Sequence, residues 1–477
     1  MTTAGRQVRR AGSAATGIAA CAGLLAACGG GSGANSLPPD PILTSQADAI
    51  LHMDQVRAAG FRGAGVRVGV ISTGVYNLAS YQAAGVIPGN VYVAANTRGT
   101  LDEGSWMLEL VHQHAPDAVL GFCDGLDLDF SSCIRDLALN FRADIIVDDI
   151  LFAGQFYPDG SAALMASLES TNDRLVFVHL AGNEQAGGYW EGAFVPVAIE
   201  LAGIPATALD FGVASGAASD PYQTLLVPAD TRLRLIVGWN DPPQGTANHA
   251  LTGYLLDAAG EILAQASAKD SPVIALSYLN ALPSAQTVRF ALTLEGGGAP
   301  NGLSVKVTEG SQTCNMRCQP LSYASAGLAG GTVGDLADVL VVGASRASAP
   351  RVLEPWSNHG PFRFDLVAAA QPAAGSGAYQ RLPVPLEVPK PDLIAPDCVT
   401  VGFSDGANIN YGPFCGTSAA VPAIAGAAAL LESAGFNRLR VLRSLRATAQ
   451  PLGSARWDPA YGYGLADAAA AWRNSGR

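Results

Sequence analysis

Between Gly65 and Gly182 the chain alternates short apolar runs with helix-patterned segments, and that alternation limits its fold more than any other feature. Val66 to Ile71 (VRVGVI) is a continuous apolar run ending in Ser72-Thr73-Gly74, as a buried parallel strand and its turn would. Glu103 to His114 sets Met107, Leu110 and Val111 on one helical face, with Pro116 as a stop. Ala118 to Phe122 reads as a strand, Cys133 to Phe141 as a helix and Asp144 to Ile150 as a strand. Ser161 to Ser170 reads as a helix, and Leu175 to Leu180 as a strand leading into Ala181-Gly182-Asn183. Strands and helices in alternation predict an α/β fold on a parallel sheet.

The pattern breaks once. From about Gly203 to Glu309 there is little helix and a series of short alternating strands, among them Thr224 to Val227, Arg232 to Trp239, Leu251 to Asp257, Val288 to Leu294 and Leu303 to Val307. Turn signals such as Asn240-Asp241-Pro242-Pro243 separate them. This predicts a β-sandwich over 207–310, inserted between a first α/β part over 45–206 and a second over 311–477, with a set of long strand-rich loops as the alternative. The second part opens with Asp338 to Ala344. It continues to a long alanine-rich helix from Ser418 to Ser433, capped by Gly435, and a further helix from Leu439 to Ala449.

The N-terminus is a targeting segment. Arg6, Arg9 and Arg10 precede a small, apolar stretch that ends in Leu25-Ala26-Ala27-Cys28. That ending resembles the lipobox of bacterial lipoproteins. The resemblance implies a signal peptide over 1–27, a lipidated Cys28, and a flexible tether over 28–44. An ordinary cleaved signal peptide is the alternative. Gly29 after the cysteine resembles the outer-membrane sorting pattern. With Cys21 and Cys28 set aside, the other six of the eight cysteines fall as three local pairs, Cys123 with Cys133, Cys314 with Cys318 and Cys398 with Cys415. Local pairs in an exported chain suggest disulfides, although six cysteines leave many connectivities open. A net charge of −12 argues against a nucleic-acid partner. Histidine is too sparse for a zinc site, and no cofactor is expected; Asp124, Asp127 and Asp129 could bind calcium through their oxygens, but no recognised loop spacing organises them for it.

Gly416-Thr417-Ser418 sets a serine at a helix N-terminus, where free N–H groups and the helix dipole favour a developing negative charge. Taken alone, Ser418 would read as an N-cap. The segments VRVGVISTG, DEGSWM, AGNE, WSNHGP, KPDLIAP, GTSAAVPAIAGAAALL and YGYGLADAAAA, in this order, resemble the subtilase superfamily of serine peptidases. The resemblance runs from about residue 62 to 473, apart from the inserted β segment. It implies a subtilisin-like doubly wound parallel sheet, Ser418 as the nucleophile, and Asn183 as the side-chain donor to the oxyanion. One such donor is worth roughly 10²–10³ in rate, a value that comes from subtilisin itself. An ordinary turn asparagine is the alternative for Asn183.

The chain departs from the subtilisin pattern at the base and at its orienting acid. Glu103-Gly104-Ser105 stands where subtilisins carry His-Gly-Thr, and Ser72-Thr73-Gly74 stands where they carry an Asp. No other histidine (His52, His112, His114, His179, His249 or His359) lies where it could substitute. Sedolisins, of the same fold, use a Ser-Glu-Asp triad, and DEGSWM resembles a bacterial subgroup near them. The resemblance implies Glu103 as a carboxylate base, which with an ordinary pKa of about 4.3 favours acid. The sedolisin Asp position is Met107 here, so the supporting acid is sought at Asp148 and Asp149. These two interrupt an apolar strand and point to opposite sides of its sheet. Buried there, at least one needs a partner or a raised pKa, and a strand end open to water is the other reading.

These features predict an exported, lipid-anchored serine endopeptidase acting on peptides or proteins at a bacterial outer membrane or cell surface. The alternatives are an inactive subtilase fold that binds peptides or proteins, and a surface adhesion or assembly protein acting through its β-sandwich.

Overall fold

The run at Val66–Ile71 becomes the middle of a parallel sheet. The computed structural model describes residues 44–125, 130–150, 168, 174–241, 249–268, 271–307, 321–325, 338–368 and 379–474. The signal segment, Cys28 and the tether up to residue 43 lie outside the described residues, as do Asp127, Asp129, Cys314, Cys318 and the 161–170 helix apart from Leu168.

The first part supplies β1 (Arg67–Ser72), β2 (Tyr92–Val93), β3 (Val119–Asp124), β4 (Ile145–Asp148) and β5 (Val176–Leu180). The strands that follow are β6 (Tyr189–Gly192), β7 (Pro196–Leu201), β8 (Ile204–Leu209), β9 (Gln223–Val227), β10 (Thr231–Trp239) and β11 (Ala250–Leu256). Next come β12 (Ile262–Ala268), β13 (Val273–Asn280), β14 (Gln286–Gly296) and β15 (Leu303–Val307). The last group is β16 (Val339–Arg346), β17 (Ala349–Leu353), β18 (Phe362–Ala368), β19 (Tyr379–Val388), β20 (Leu393–Asp397), β21 (Val399–Ser404) and β22 (Ile409–Phe414).

The main sheet runs β17-β16-β5-β4-β1-β3-β2, with β20 also paired to β16. All its pairings are parallel except β16 with β17. Its inner strands β1, β4, β5 and β16 are buried along nearly their whole length, which is why they read as continuous apolar runs. Across one face lies the Thr417–Ser433 helix, buried from Thr417 to Glu432 and packed on β4, β5, β16, β20 and the Glu103–His114 helix. Its small residues allow this crowding: a Cβ on Gly426 would come within 2.4 Å of His114 Cβ.

The inserted strands form two antiparallel sheets, β13-β10-β15-β6 and β12-β11-β14-β8-β7, the latter with β9 on β14. Leu233, Leu235 and Val237 on β10 and Leu303 and Val305 on β15 share one core with Leu251 and Leu255 on β11 and Val288, Phe290 and Leu292 on β14. Two sheets facing each other over one core make the expected sandwich. It starts earlier than residue 207, because β6, β7 and β8 (Tyr189 to Leu209) belong to its sheets. The β18–β19 and β21–β22 hairpins of the second part form two further small sheets.

Candidate active site

Glu103 opens its helix, and the residues on either side decide where it points. Asp102 before it turns away: its Oδ1 accepts the Asn77 amide at 2.7 Å and its Oδ2 accepts the Asn77 side chain. Gly104 after it lets the helix close on the end of β1, with its N–H donating to Gly74 O at 2.9 Å. A Cβ at Gly104 would come within 2.3 Å of the Phe122 ring and 2.6 Å of Gly74 O. This approach sets Glu103 against the hydroxyl-bearing end of β1. Thr73 Oγ1 donates to Glu103 Oε2 at 3.0 Å. Ser418 and Asp149 stand against the same carboxylate, close enough that each lowers the Glu103 pKa.

Asp149 arrives from the neighbouring strand. Ile71 of β1 is in register with Asp148 of β4, and the Asp149 N–H donates to Ile71 O at 3.3 Å. The strand-end acid absent from β1 is therefore supplied by β4. Burial pushes the Glu103 pKa up, and the hydrogen bonds from Thr73, Asp149 and Ser418 oppose the rise. Burial, and next to it the charge of Glu103, push Asp149 well above the carboxylate range. Two carboxyls this close cannot both ionise cheaply, so the pair holds a proton between its members. Both residues keep some exposed surface, while protein atoms surround their side chains on most sides. Ser72 Oγ sits against Asp149 and lowers its pKa, but neither Ser72 Oγ nor Asp149 Oδ1 closes a hydrogen bond of normal geometry.

Asp148 does not join this cluster. Alternation along β4 turns it the other way, where its Oδ1 lies 2.8 Å from His179 Nδ1 and accepts the Ile150 amide at 3.2 Å. Both Asp148 and His179 are buried. The two adjacent acids thus meet the cost of burial in two ways, Asp148 by pairing with an imidazole and Asp149 by sharing a proton with Glu103.

Asn183 is held on its oxygen side. Its Oδ1 accepts from Thr417 N and from Thr417 Oγ1, each at 2.9 Å. That leaves Nδ2 as the free end, and no hydrogen bond engages it among the described residues. The loop carrying Asn183 is clamped further by Asn358: the Asn358 N–H donates to Gly182 O at 3.0 Å and the Glu184 N–H donates to Asn358 Oδ1 at 2.9 Å. Glu184 is buried and accepts from the Asn358 side chain. Burial raises the Glu184 pKa, opposed by the charge of Lys306 on β15 of the sandwich. Ser418 itself is 4% exposed and lies in the first turn of its helix, where N–H groups lack intrahelical acceptors.

Ser418, Glu103, Asn183 and Asp149 therefore converge, and Asp148 stands apart. Thr73, Thr417 and Asn358 complete the cluster; in the sequence they lie inside the matched segments but carry no signal that separates them from structural hydroxyls and amides. Disulfides join Cys123 to Cys133 and Cys398 to Cys415. Among the described residues, the grouping that best resembles a metal site is Asp397 with Cys398 and Cys415, whose sulfurs are bonded to each other. Among the described residues no helix is long and apolar enough to cross a membrane.

A family model described as the subtilase family (Peptidase_S8) matches residues 310–464. The CspB protease of Clostridium perfringens aligns with a TM-score of 0.50 and 14% identity, over 90% of this chain and 97% of that one. A lanthipeptide protease aligns with a TM-score of 0.41 and 14% identity, over 90% and 93% of the two chains. MycP1 from the ESX-1 type VII secretion system aligns with a TM-score of 0.41 and 16% identity, over 91% and 88%. At these identities the likeness concerns the fold. No curated protein matches.

Proposed function

We propose, from the premise that this chain is a member of the subtilase superfamily, that it is a serine endopeptidase of the Ser-Glu-Asp type. The observation that carries the reading is the convergence of Ser418 and Asp149 on one carboxylate, that of Glu103, which Thr73 Oγ1 also reaches at 3.0 Å. In this reading Ser418 Oγ attacks the scissile carbonyl carbon as its proton passes to Glu103. The tetrahedral oxyanion is stabilised by Asn183 Nδ2 and the N–H groups of the helix first turn. Glu103 then gives its proton to the departing amine, leaving an acyl-enzyme. Water, deprotonated by Glu103, hydrolyses the ester and returns the proton to Ser418 Oγ. Asp149, protonated, orients Glu103 throughout.

The working pH follows from the pair. Glu103 must be ionised to act as base, and burial raises its pKa, so activity sets in above the ordinary glutamate value of about 4.3. Activity declines when Asp149 loses the proton it donates. The enzyme favours acid, with an onset milder than an exposed glutamate would give.

The same proposal includes export as a lipoprotein anchored through Cys28 at the outer membrane or cell surface, with peptides or proteins as substrates. Palmitate labelling that survives Cys28→Ser would refute the anchor. For the chemistry, purified protein is assayed on casein and peptides from about pH 3 to about pH 8, beside Ser418→Ala and Glu103→Gln. Wild-type hydrolysis that both variants lose is the expected result. Equal signals from wild type and Ser418→Ala would overturn the reading in favour of a binding protein of the same fold.

A further inference from the structure

The turn that presents Ser418 is fastened by a carboxyl that the proposed chemistry does not use. Asp397 ends β20 and is wholly buried. The β21–β22 hairpin leaves from Cys398 and returns to Cys415, pairing Val399 with Phe414 at its base, so that Asp397 and Gly416 meet. The Cys398–Cys415 disulfide closes that base. Asp397 Oδ2 accepts the Gly416 amide at 3.0 Å, and Asp397 Oδ1 has no partner among the described residues. Gly416 is the N-cap of the Ser418 helix, at φ 116° and ψ 164°, a conformation that side-chain-bearing residues rarely adopt. The orientation of its peptide therefore needs fixing from outside the turn. Thr417, the next residue, is bonded to Asn183, so one movement of Gly416 would displace both the nucleophile and the oxyanion donor.

We propose that Asp397 is a positioning residue that acts as a neutral carboxylic acid, its carbonyl oxygen holding the Gly416 peptide so that Ser418 and Asn183 keep their mutual geometry. The inference rests on the serine-peptidase reading. The neutral form follows from the surroundings. The carboxyl is out of contact with water and, among the described residues, makes no ion pair and leaves one oxygen unbonded, an arrangement in which a charge is costly. The charged groups facing it are Glu354, which opposes ionisation, and Arg346, which favours it but is itself paired to Glu354 at 3.1 Å. Burial, ahead of these, pushes Asp397 up to about 7. Above that value the site ionises, and a negative charge develops beside the helix N-terminus that the oxyanion needs.

Asp397→Asn preserves the acceptor and cannot ionise, whereas Asp397→Ala removes the acceptor. Two measurements on the full chain decide the matter. In kinetics, Asp397→Ala lowers kcat by roughly 10²-fold, the cost of misplacing a reacting group by about 1 Å, and leaves KM within about threefold. Asp397→Asn restores most of that loss and, at about pH 8, retains a larger share of its acid-side kcat than wild type does. In amide hydrogen exchange, which needs no turnover, Gly416 exchanges roughly fivefold faster in Asp397→Ala and is protected again in Asp397→Asn. Asp397→Asn as impaired as Asp397→Ala, or Gly416 protection unchanged in Asp397→Ala, would overturn the inference. If the protein hydrolyses no peptide, the exchange arm still decides it. If Asp397→Ala fails to fold, the wild-type melting temperature should fall more steeply than that of Asp397→Asn between about pH 5 and about pH 8, and parallel curves would count against it.

Discussion

At the scale of single residues, the site is a set of hydrogen bonds whose direction fixes who gives and who takes. Asn183 spends its oxygen on Thr417, so only its amide end can face an oxyanion. Asn183→Ala should therefore lower kcat by roughly 10²–10³ with little change in KM, because the donor acts on charge that develops in the transition state. A KM effect of the same size would make Asn183 a substrate-binding group instead. Asp149 invites a different test. In the proposed chemistry its proton is donated to Glu103, and an Asn in its place can still donate but cannot lose the proton at high pH. In Asp149→Asn the alkaline fall in kcat should move upward or vanish, while the acid limb, which belongs to Glu103, remains. A pH–rate profile over about pH 3 to 9 reads both limbs at once. If the alkaline limb does not move, Asp149 is not the proton holder.

At the scale of elements, the approach of the Glu103 helix to the end of β1 depends on one missing side chain. Gly104→Ala would drive a methyl group into the Phe122 ring and Gly74 O, and the helix start must retreat to relieve it. The expected cost is about 1–3 kcal/mol in stability, typical of overpacking, read as a lower melting temperature. A disproportionate loss of kcat should accompany it, as Glu103 leaves Thr73 and Ser418. Wild-type kcat in a destabilised Gly104→Ala would separate the helix position from the chemistry. This element was also the most legible in the sequence. Its expected bounds, Glu103 to His114, coincide with the observed ones, because a clear apolar face and Pro116 mark it locally. The start of the sandwich was less legible, because β6, β7 and β8 are short and follow the Asn183 loop without a compositional break. The pair Asp148 and Asp149 shows the limit most clearly. Alternation along a strand says that two neighbouring acids part company, but which side is the cleft depends on how β4 stacks beside β1. That is a long-range fact, absent from the local pattern. Asp397 was missed for the same reason, since its partner Gly416 lies across a whole hairpin.

At the scale of the whole molecule, the buried carboxyls set how stability should depend on pH. Burial raises Glu103, Asp149 and Glu184 above the ordinary range, and raises Glu109 and Asp397 to about 7. Such groups hold protons in the folded state that the unfolded chain has already released between about pH 4 and about pH 7. The stability they contribute is complete below the unfolded pKa and is lost as pH rises through the folded one. His112 and His359, lowered by burial, act in the opposite sense, since folding keeps them neutral and their contribution is lost as pH falls. The carboxyls outnumber them. At the acid end, Asp48 is held low by His114 and Arg57 against the upward push of burial, and Asp210 by Ser219 and the Val213 amide. Their contribution disappears only as pH drops below about 4. The melting temperature should therefore peak in mild acid and decline from there to about pH 8, the reverse of a protein whose acids are mostly ion-paired. Differential scanning fluorimetry across about pH 3 to 9 checks this, with Glu109→Gln as the control. Glu109 accepts the Gly402 amide at 2.8 Å and the Gln113 side chain at 2.9 Å, away from the Ser418 cluster, so Glu109→Gln should flatten the decline without altering the pH–rate profile. A melting temperature that climbs steadily to neutral pH would mean that these carboxyls are ionised in the fold, and with them the proton that Asp149 is assigned.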